Sequence, residues 1–164
     1  LQGVAALGLV PTGPVVGTPH PGEAAALLRA TSAAVQADRP AAARALAARL
    51  RGVAVLKGAG TLVADALGRE APELLGVCAH GNPGMASAGM GDVLSGVIGG
   101  LLAQGLAPAD AAVAGVCLHS LAADRAAARL GEPSLLATDL FEPLIAILAA
   151  DAAAARSAGF DIAR

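Results

Sequence analysis

Residues 81–92 constrain this chain more tightly than any other stretch. They read Gly81-Asn82-Pro83-Gly84-Met85-Ala86-Ser87-Ala88-Gly89-Met90-Gly91-Asp92. A segment this rich in glycine, with an internal proline, reads as a loop rather than a helix or strand. The residues that follow, Val93–Leu102, are apolar and helix-like, so the loop opens directly into a buried core helix. Helix N-termini carry unpaired N–H groups and the positive end of a dipole, which suits an anion. Glycines let the backbone approach a phosphate closely. A carboxylate beside a bound phosphate is repelled unless it takes a proton or holds a metal. Asp92 therefore points to phosphoryl chemistry on a hydroxyl group.

The 164 residues suffice for one domain with a core, and 55% of them are hydrophobic against 15% charged, which argues against disorder. With two Phe and no Trp or Tyr, that core rests on Leu, Val, Ile and Ala and depends on close helix–sheet packing. A formal net charge of −2 and the lack of aromatic platforms argue against a nucleic-acid partner. No apolar run reaches the ~18–20 residues that span a bilayer, and no signal-peptide pattern is present. Cys78 and Cys117 form neither a metal-ligand spacing nor a disulfide framework. These features lead to the expectation of a cytoplasmic protein without membrane association.

Along the chain, Pro14–Thr18 reads as a short strand and Pro19–Gly22 as a turn. Glu23–Ala30 and Ala33–Arg51 read as helices, the second closed by Gly52 as its C-terminal cap. Val53–Leu56 has the continuous apolar character of a strand buried on both faces. Thr61–Ala64 and Gly76–Ala79 read as further strands, with Leu67–Leu75 turn-rich between them. Pro108–Leu130 is a long alanine-rich helix. Thr138 or Asp139 is expected to cap a last helix that runs to about Leu148. The order favours an α/β fold with helices packed on a mostly parallel sheet. Residues 1–150 are read as one domain and 151–164 as a peripheral tail.

Three segments follow strands: Thr18-Pro19-His20-Pro21-Gly22-Glu23, Leu56-Lys57-Gly58-Ala59-Gly60-Thr61 and Gly81–Asp92. Strand ends are where α/β folds bind ligands. The ordinary P-loop spacing is absent, and no Gly-x-Gly-x-x-Gly leads to a ribose-binding acid. In order and spacing the three blocks resemble the ribokinase-like family, and within it the ADP- or ATP-dependent NAD(P)H-hydrate dehydratases. Leu118-His119-Ser120-Leu121-Ala122-Ala123-Asp124 and Leu136-Ala137-Thr138-Asp139-Leu140 add to the likeness, which runs from about Pro14 to about Leu148.

The resemblance implies a ribokinase-like three-layer α/β sandwich, here a partial version. Its activity would be repair of hydrated NADH and NADPH. A nucleotide, ADP or ATP, phosphorylates the hydrate hydroxyl, and loss of phosphate restores the reduced dinucleotide. Phosphate leaves readily where hydroxide does not. By the same resemblance Asp92 is the catalytic base and contacts substrate, and His20 binds the hydrate. Lys57, Gly58, Ala59, Gly60, Thr61 and Gly91 bind the nucleotide, accompanied by Mg²⁺. The backbone of Ala88, Gly89, Met90 and Gly91 is the anion loop that stabilises the transferring phosphoryl. Family chains are longer at the N-terminus, so a homo-oligomer or a complementing N-terminal segment is expected.

Plainer readings stand beside these. Asp92 suits a helix N-cap, His20 a surface turn, Lys57 a solvated strand end and Glu23 a helix-start charge. Asn82 is read as loop structure, His80 as incidental, and His119 and Asp124 as structural. Two other functions use the same residues: a ribokinase-like kinase acting on a vitamin-precursor alcohol, and an inactive nucleotide-binding fragment.

Overall fold

The computed structural model describes residues 13–157. Four strands form one sheet in the order β1-β2-β3-β4: Val16–Gly17, Val53–Leu56, Thr61–Asp65 and Glu73–Cys78. β1 runs parallel to β2, whereas β2/β3 and β3/β4 are antiparallel. The expected mostly parallel pairing thus holds for one pair of three. The reason is connection length. A parallel crossover takes about a dozen residues or more, and Lys57–Gly60 can only close a hairpin. β4 also starts earlier than expected, at Glu73, inside the stretch read as turns.

Helices α1 (Pro21–Leu28), α2 (Ser32–Ala37) and α3 (Arg39–Leu50) cover one face of the sheet. Helices α4 (Met90–Ala103) and α5 (Pro108–Leu130) cover the other. Side chains alternate across a strand, and β2 shows how this builds three layers. Ala54 and Leu56 join the first cluster, with Ala43, Leu46 and Ala47; Val53 and Val55 join the second, with Leu94, Ile98 and Val116. All four β2 residues are fully buried, as the apolar run implied. A third cluster seats Leu140, Leu144 and Ile147 on Ala122, Ala123 and Ala126 of α5. It docks α6 (Phe141–Ser157) outside the sheet.

Three expectations change. The helix expected over Ala33–Arg51 breaks at Asp38, whose backbone leaves the helical region (φ −142°, ψ 79°). Pro40 lacks an N–H to continue the ladder, and Asp38 restarts it by accepting from Ala41 N at 2.9 Å. Thr138 and Asp139 lie within a 3₁₀ turn, Ala137–Leu140, ahead of α6; Asp139 accepts from Leu136 N at 2.8 Å. The last helix continues beyond Leu148 to Ser157, into the segment read as a tail; 158–164 lie outside the described residues.

Gly52 is not the helix cap. Arg51 takes the left-handed conformation (φ 49°) that ends α3. Gly52 is needed one residue later for clearance, because a Cβ there would stand 2.2 Å from the Val15 carbonyl oxygen. That contact seats β1 beside β2, where Val53 N donates to Val15 O at 2.8 Å. Gly52→Ala should therefore cost about 1–3 kcal/mol, read as a lower urea midpoint. An unchanged midpoint would contradict this close approach.

Candidate active site

The strand directions bring the turn after β1, the β2–β3 hairpin loop and the loop after β4 to one end of the sheet. With α5 they enclose a cleft of about 800 Å³. Its walls include His20 and Pro21, Lys57–Thr61, Ala79–Pro83, Met85–Ser87, and Met90–Gly91. Val116, His119 and Ser120 of α5 also line it. A smaller hollow of about 380 Å³ around Arg51 and Arg69 holds none of the expected site residues. Its Arg69 is already paired with Asp65 and Glu73.

His20 both shapes α1 and faces the cleft. Its Nδ1 accepts from Gly22 N at 3.1 Å and Glu23 N at 3.3 Å, while Glu23 Oε2 accepts from His20 N at 2.7 Å. This reciprocal cap satisfies orphan donors of α1. It commits Nδ1 as an acceptor; Nε2 of the half-exposed ring lies 3.6 Å from Glu23 Oε2 and makes no hydrogen bond among the described residues. Pro21 and Gly22, expected in a turn, are instead the first residues of α1, with His20 as its N-cap; the helix-start reading of Glu23 holds.

Lys57 reaches across to α4. Its Nζ lies 3.9 Å from Glu23 Oε2 and 2.8 Å from where a Cβ on Gly91 would stand. Any side chain at position 91 would displace the ammonium. A cation thus sits over the first turn of α4, whose own N-terminus is electropositive. No side chain caps that helix. Gly89 (φ 84°) is its N-cap, and its carbonyl accepts from Asp92 N at 3.0 Å and Val93 N at 3.1 Å. Asp92 is therefore not the cap; it is the acidic residue of the first turn, and its side chain is exposed.

Helix α5 supports the glycine loop. Asp124 accepts from Gly81 N and Asn82 Nδ2, each at 3.0 Å, and Asn82 Oδ1 accepts from Gly84 N at 3.1 Å. Asn82 is thus loop structure and Asp124 its anchor. His80 stands 3.8 Å from Asp124 and is half-exposed. One turn back, the buried His119 binds the Met90 carbonyl through Nε2 at 3.0 Å. A carbonyl only accepts, so Nε2 carries the proton. Burial lowers the pKa of His119; the bond to Met90 opposes this and the Lys57 charge adds to it.

Of the expected site residues, His20, Lys57, Gly58, Ala59, Gly60, Thr61, Met90 and Gly91 line one cleft. Ala88, Gly89 and Asp92 lie beside it rather than in its walls. Asp92 shares a helix face with Ser95, three residues on. Ser95 meets Thr18 at 3.1 Å, so that face runs beside the end of β1. Gly91, in the cleft wall, directly precedes Asp92 in the first turn of α4.

A family profile of carbohydrate-kinase type, described as NAD(P)H-hydrate dehydratase, matches residues 5–159. The chain belongs to the NAD(P)H-hydrate dehydratase family. The bifunctional NAD(P)H-hydrate repair enzyme Nnr of Escherichia coli K12 is 57% identical over 127 residues, covering 77% of this chain and 24% of that protein. The ADP-dependent (S)-NAD(P)H-hydrate dehydratase of Neisseria meningitidis is 53% identical over 108 residues, covering 65% of this chain and 34% of that protein. Among solved structures, the Bacillus subtilis ADP/ATP-dependent NAD(P)H-hydrate dehydratase co-crystallised with ATP and Mg²⁺ gives a TM-score of 0.74 at 33% identity. That match covers 85% of this chain and 49% of the other. A ribokinase-like superfamily protein from Enterococcus faecalis gives 0.65 at 33% identity, covering 86% and 46%. The fold is ribokinase-like. The chain spans about a quarter of the Escherichia coli relative and half of the Bacillus subtilis chain.

Sequence reasoning missed Arg39 in this dehydratase-family chain. Its guanidinium bonds to the carbonyls of Leu56, Lys57 and Gly60, behind the hairpin loop. A signal was present: Arg39 opens α3, where the helix dipole disfavours a cation, so something beyond the helix must hold it there.

His119 gives the site a pH signature. Its folded pKa lies below the unfolded value of about 6.5, so the unfolded chain takes the proton first as pH falls. Its contribution to stability is present at neutral pH and is lost as pH falls below about 6.5, until the folded ring also protonates. The melting temperature of His119→Gln should fall less steeply over that window than that of the unsubstituted chain. Parallel melting curves in pH would contradict the buried neutral ring.

Proposed function

We propose that this site restores NADH and NADPH from their hydrates with an adenine nucleotide as phosphoryl donor. The observation that carries the reading is the convergence of Lys57 on Gly91 in the cleft wall at the start of α4, one residue before Asp92. The nucleotide occupies the cleft against Lys57–Thr61, with its phosphates at the α4 N-terminus. The hydrate lies on the other side, against His20 and Asp92. ADP is the donor favoured here, in keeping with the ADP-dependent Neisseria meningitidis relative.

Asp92 takes the proton of the hydrate hydroxyl as its oxygen attacks the terminal phosphoryl group. The new P–O bond replaces the bond to the nucleotide, which leaves as the shorter nucleotide. Charge on the transferring group is offset by the Lys57 ammonium and the N–H groups at the start of α4. The phosphorylated hydrate then loses phosphate and a ring proton, and the nicotinamide double bond returns. His20 orients the hydrate through Nε2, since Nδ1 is held by α1.

The residues do not build a metal cage: among those described, no group of three His, Cys, Asp or Glu could hold an ion. Mg²⁺ fits only as an ion carried by the nucleotide phosphates, where it would neutralise phosphate charge. No described helix is long and apolar enough to cross a membrane, in keeping with a cytoplasmic repair enzyme. Among the described residues β1 pairs on one edge only. A second copy of the chain, or a complementing segment, would wall the hydrate side.

The test supplies NADH hydrate with ADP or ATP and follows the return of reduced-nicotinamide absorbance. Recovery is expected with the native chain. Asp92→Asn should lower turnover by about 10²–10⁴-fold while keeping nucleotide affinity. Full turnover in Asp92→Asn would remove the aspartate from its role. Phosphorylation of a thiazole or pyridoxine alcohol, with no nicotinamide recovery, would favour a kinase instead.

A further inference from the structure

The β2–β3 hairpin loop owes its shape to a residue outside it. Arg39 Nη2 donates to Leu56 O at 3.3 Å, Lys57 O at 3.5 Å and Gly60 O at 3.1 Å, and Nη1 donates to Lys57 O at 3.4 Å. Nη1 is steadied by Gln36 Oε1 at 3.0 Å. Among the described residues Arg39 has no carboxylate partner. Apart from the Gln36 contact, its guanidinium bonds are directed at main-chain carbonyls, an arrangement suited to a planar fork rather than a point charge. The fit is close: a Cβ on Gly58 (φ 141°) would stand 2.9 Å from Nη1.

Peptide geometry gives this arrangement a consequence for binding. A trans peptide points its N–H opposite to the carbonyl before it. With the Lys57 carbonyl drawn back to Arg39, the Gly58 N–H faces away from the guanidinium. The Gly58 carbonyl accepts from Thr61 Oγ1 at 3.1 Å, which turns the Ala59 N–H away from that hydroxyl in the same manner. Neither N–H has a protein acceptor among the described residues. Gly58 and Ala59 both line the cleft. The loop thus presents unpaired donors in front of a guanidinium with no carboxylate partner, an arrangement suited to an acceptor-rich anionic ligand.

We propose that Arg39 is the positioning residue of the nucleotide side of the site. It gathers the loop carbonyls behind the hairpin so that the Gly58 and Ala59 N–H groups remain free for nucleotide oxygen or nitrogen acceptors. The proposal rests on the nucleotide reading of Lys57–Thr61. It assigns Arg39 no contact with the reacting atoms, so its loss weakens nucleotide capture and spares hydrate capture.

The experiment compares the full chain with Arg39→Gln and Arg39→Lys by three readouts: amide exchange over Lys57–Thr61, ADP and ATP affinity, and the KM for NADH hydrate. In Arg39→Gln the loop amides should exchange faster, the nucleotide dissociation constant should rise about tenfold, and the hydrate KM should hold. Arg39→Lys keeps the charge without the fork and should fall between. Unchanged loop exchange and nucleotide affinity in Arg39→Gln would overturn the proposal. Equal weakening of nucleotide and hydrate capture would also overturn it, by revealing a general loss of structure. If Arg39→Gln does not fold, Arg39→Lys is judged by the same criteria. Faster loop exchange in Arg39→Gln, in a chain whose native form binds neither nucleotide, would support loop positioning and overturn the nucleotide reading alone.

Discussion

The site depends on one contact, the seating of the Lys57 ammonium over Gly91. It requires that position 91 carry no side chain, that β2 end where the hairpin begins, and that α4 start beneath it. It places a mobile positive charge next to the fixed positive end of a helix. Two cations side by side would ordinarily repel. A dipole end and an ammonium can share one region because Glu23 lies 3.9 Å from Nζ and because an incoming phosphate offsets both. The arrangement suits the anionic phosphate proposed for it.

Helix α5 holds the other half of that geometry. His119 fixes the Met90 carbonyl at the start of α4, and Asp124 holds Gly81 and Asn82 at the entry of the loop. The glycine loop is thus pinned at both ends by one buried helix, while its middle, the 3₁₀ turn Pro83–Ala86, lines the cleft. Glycine makes a loop able to approach a phosphate but does not hold it still. The rigidity comes from the alanine-rich packing of α5, whose small side chains bring it close to its neighbours. At Gly115 even a Cβ would meet Ile98 Cγ1 at 2.5 Å.

Much of this was legible in the residues. The apolar run Val53–Leu56 implied a strand covered on both sides, and the density of glycine before Val93 implied a loop opening into a helix. Eight of the expected site residues share one cleft because each lies in, or directly beside, a loop at the same end of the sheet. Strand direction was less legible, because the glycines of Lys57–Gly60 suit a ligand-binding loop and a tight hairpin equally. The break at Asp38 was hidden by alanines on both sides, which keep a helical pattern alive across Pro40. The partners of Arg39 and Asp124 were hidden for another reason. They lie 17–21 and 42–43 residues away, and no local pattern encodes a contact of that range. Asp92 stands apart. The role of base proposed for it comes from its place in the motif, and the structure adds that it follows Gly91 in the first turn of α4, three residues before the Ser95 that meets Thr18.

The most direct test of the account is the crystal structure of the chain with a non-hydrolysable adenine nucleotide. The adenosine should lie against Lys57–Thr61, with the terminal phosphate within hydrogen-bonding reach of Lys57 Nζ and the N–H groups at the start of α4. A nucleotide bound elsewhere, or one whose phosphates lie away from Gly91, would contradict it.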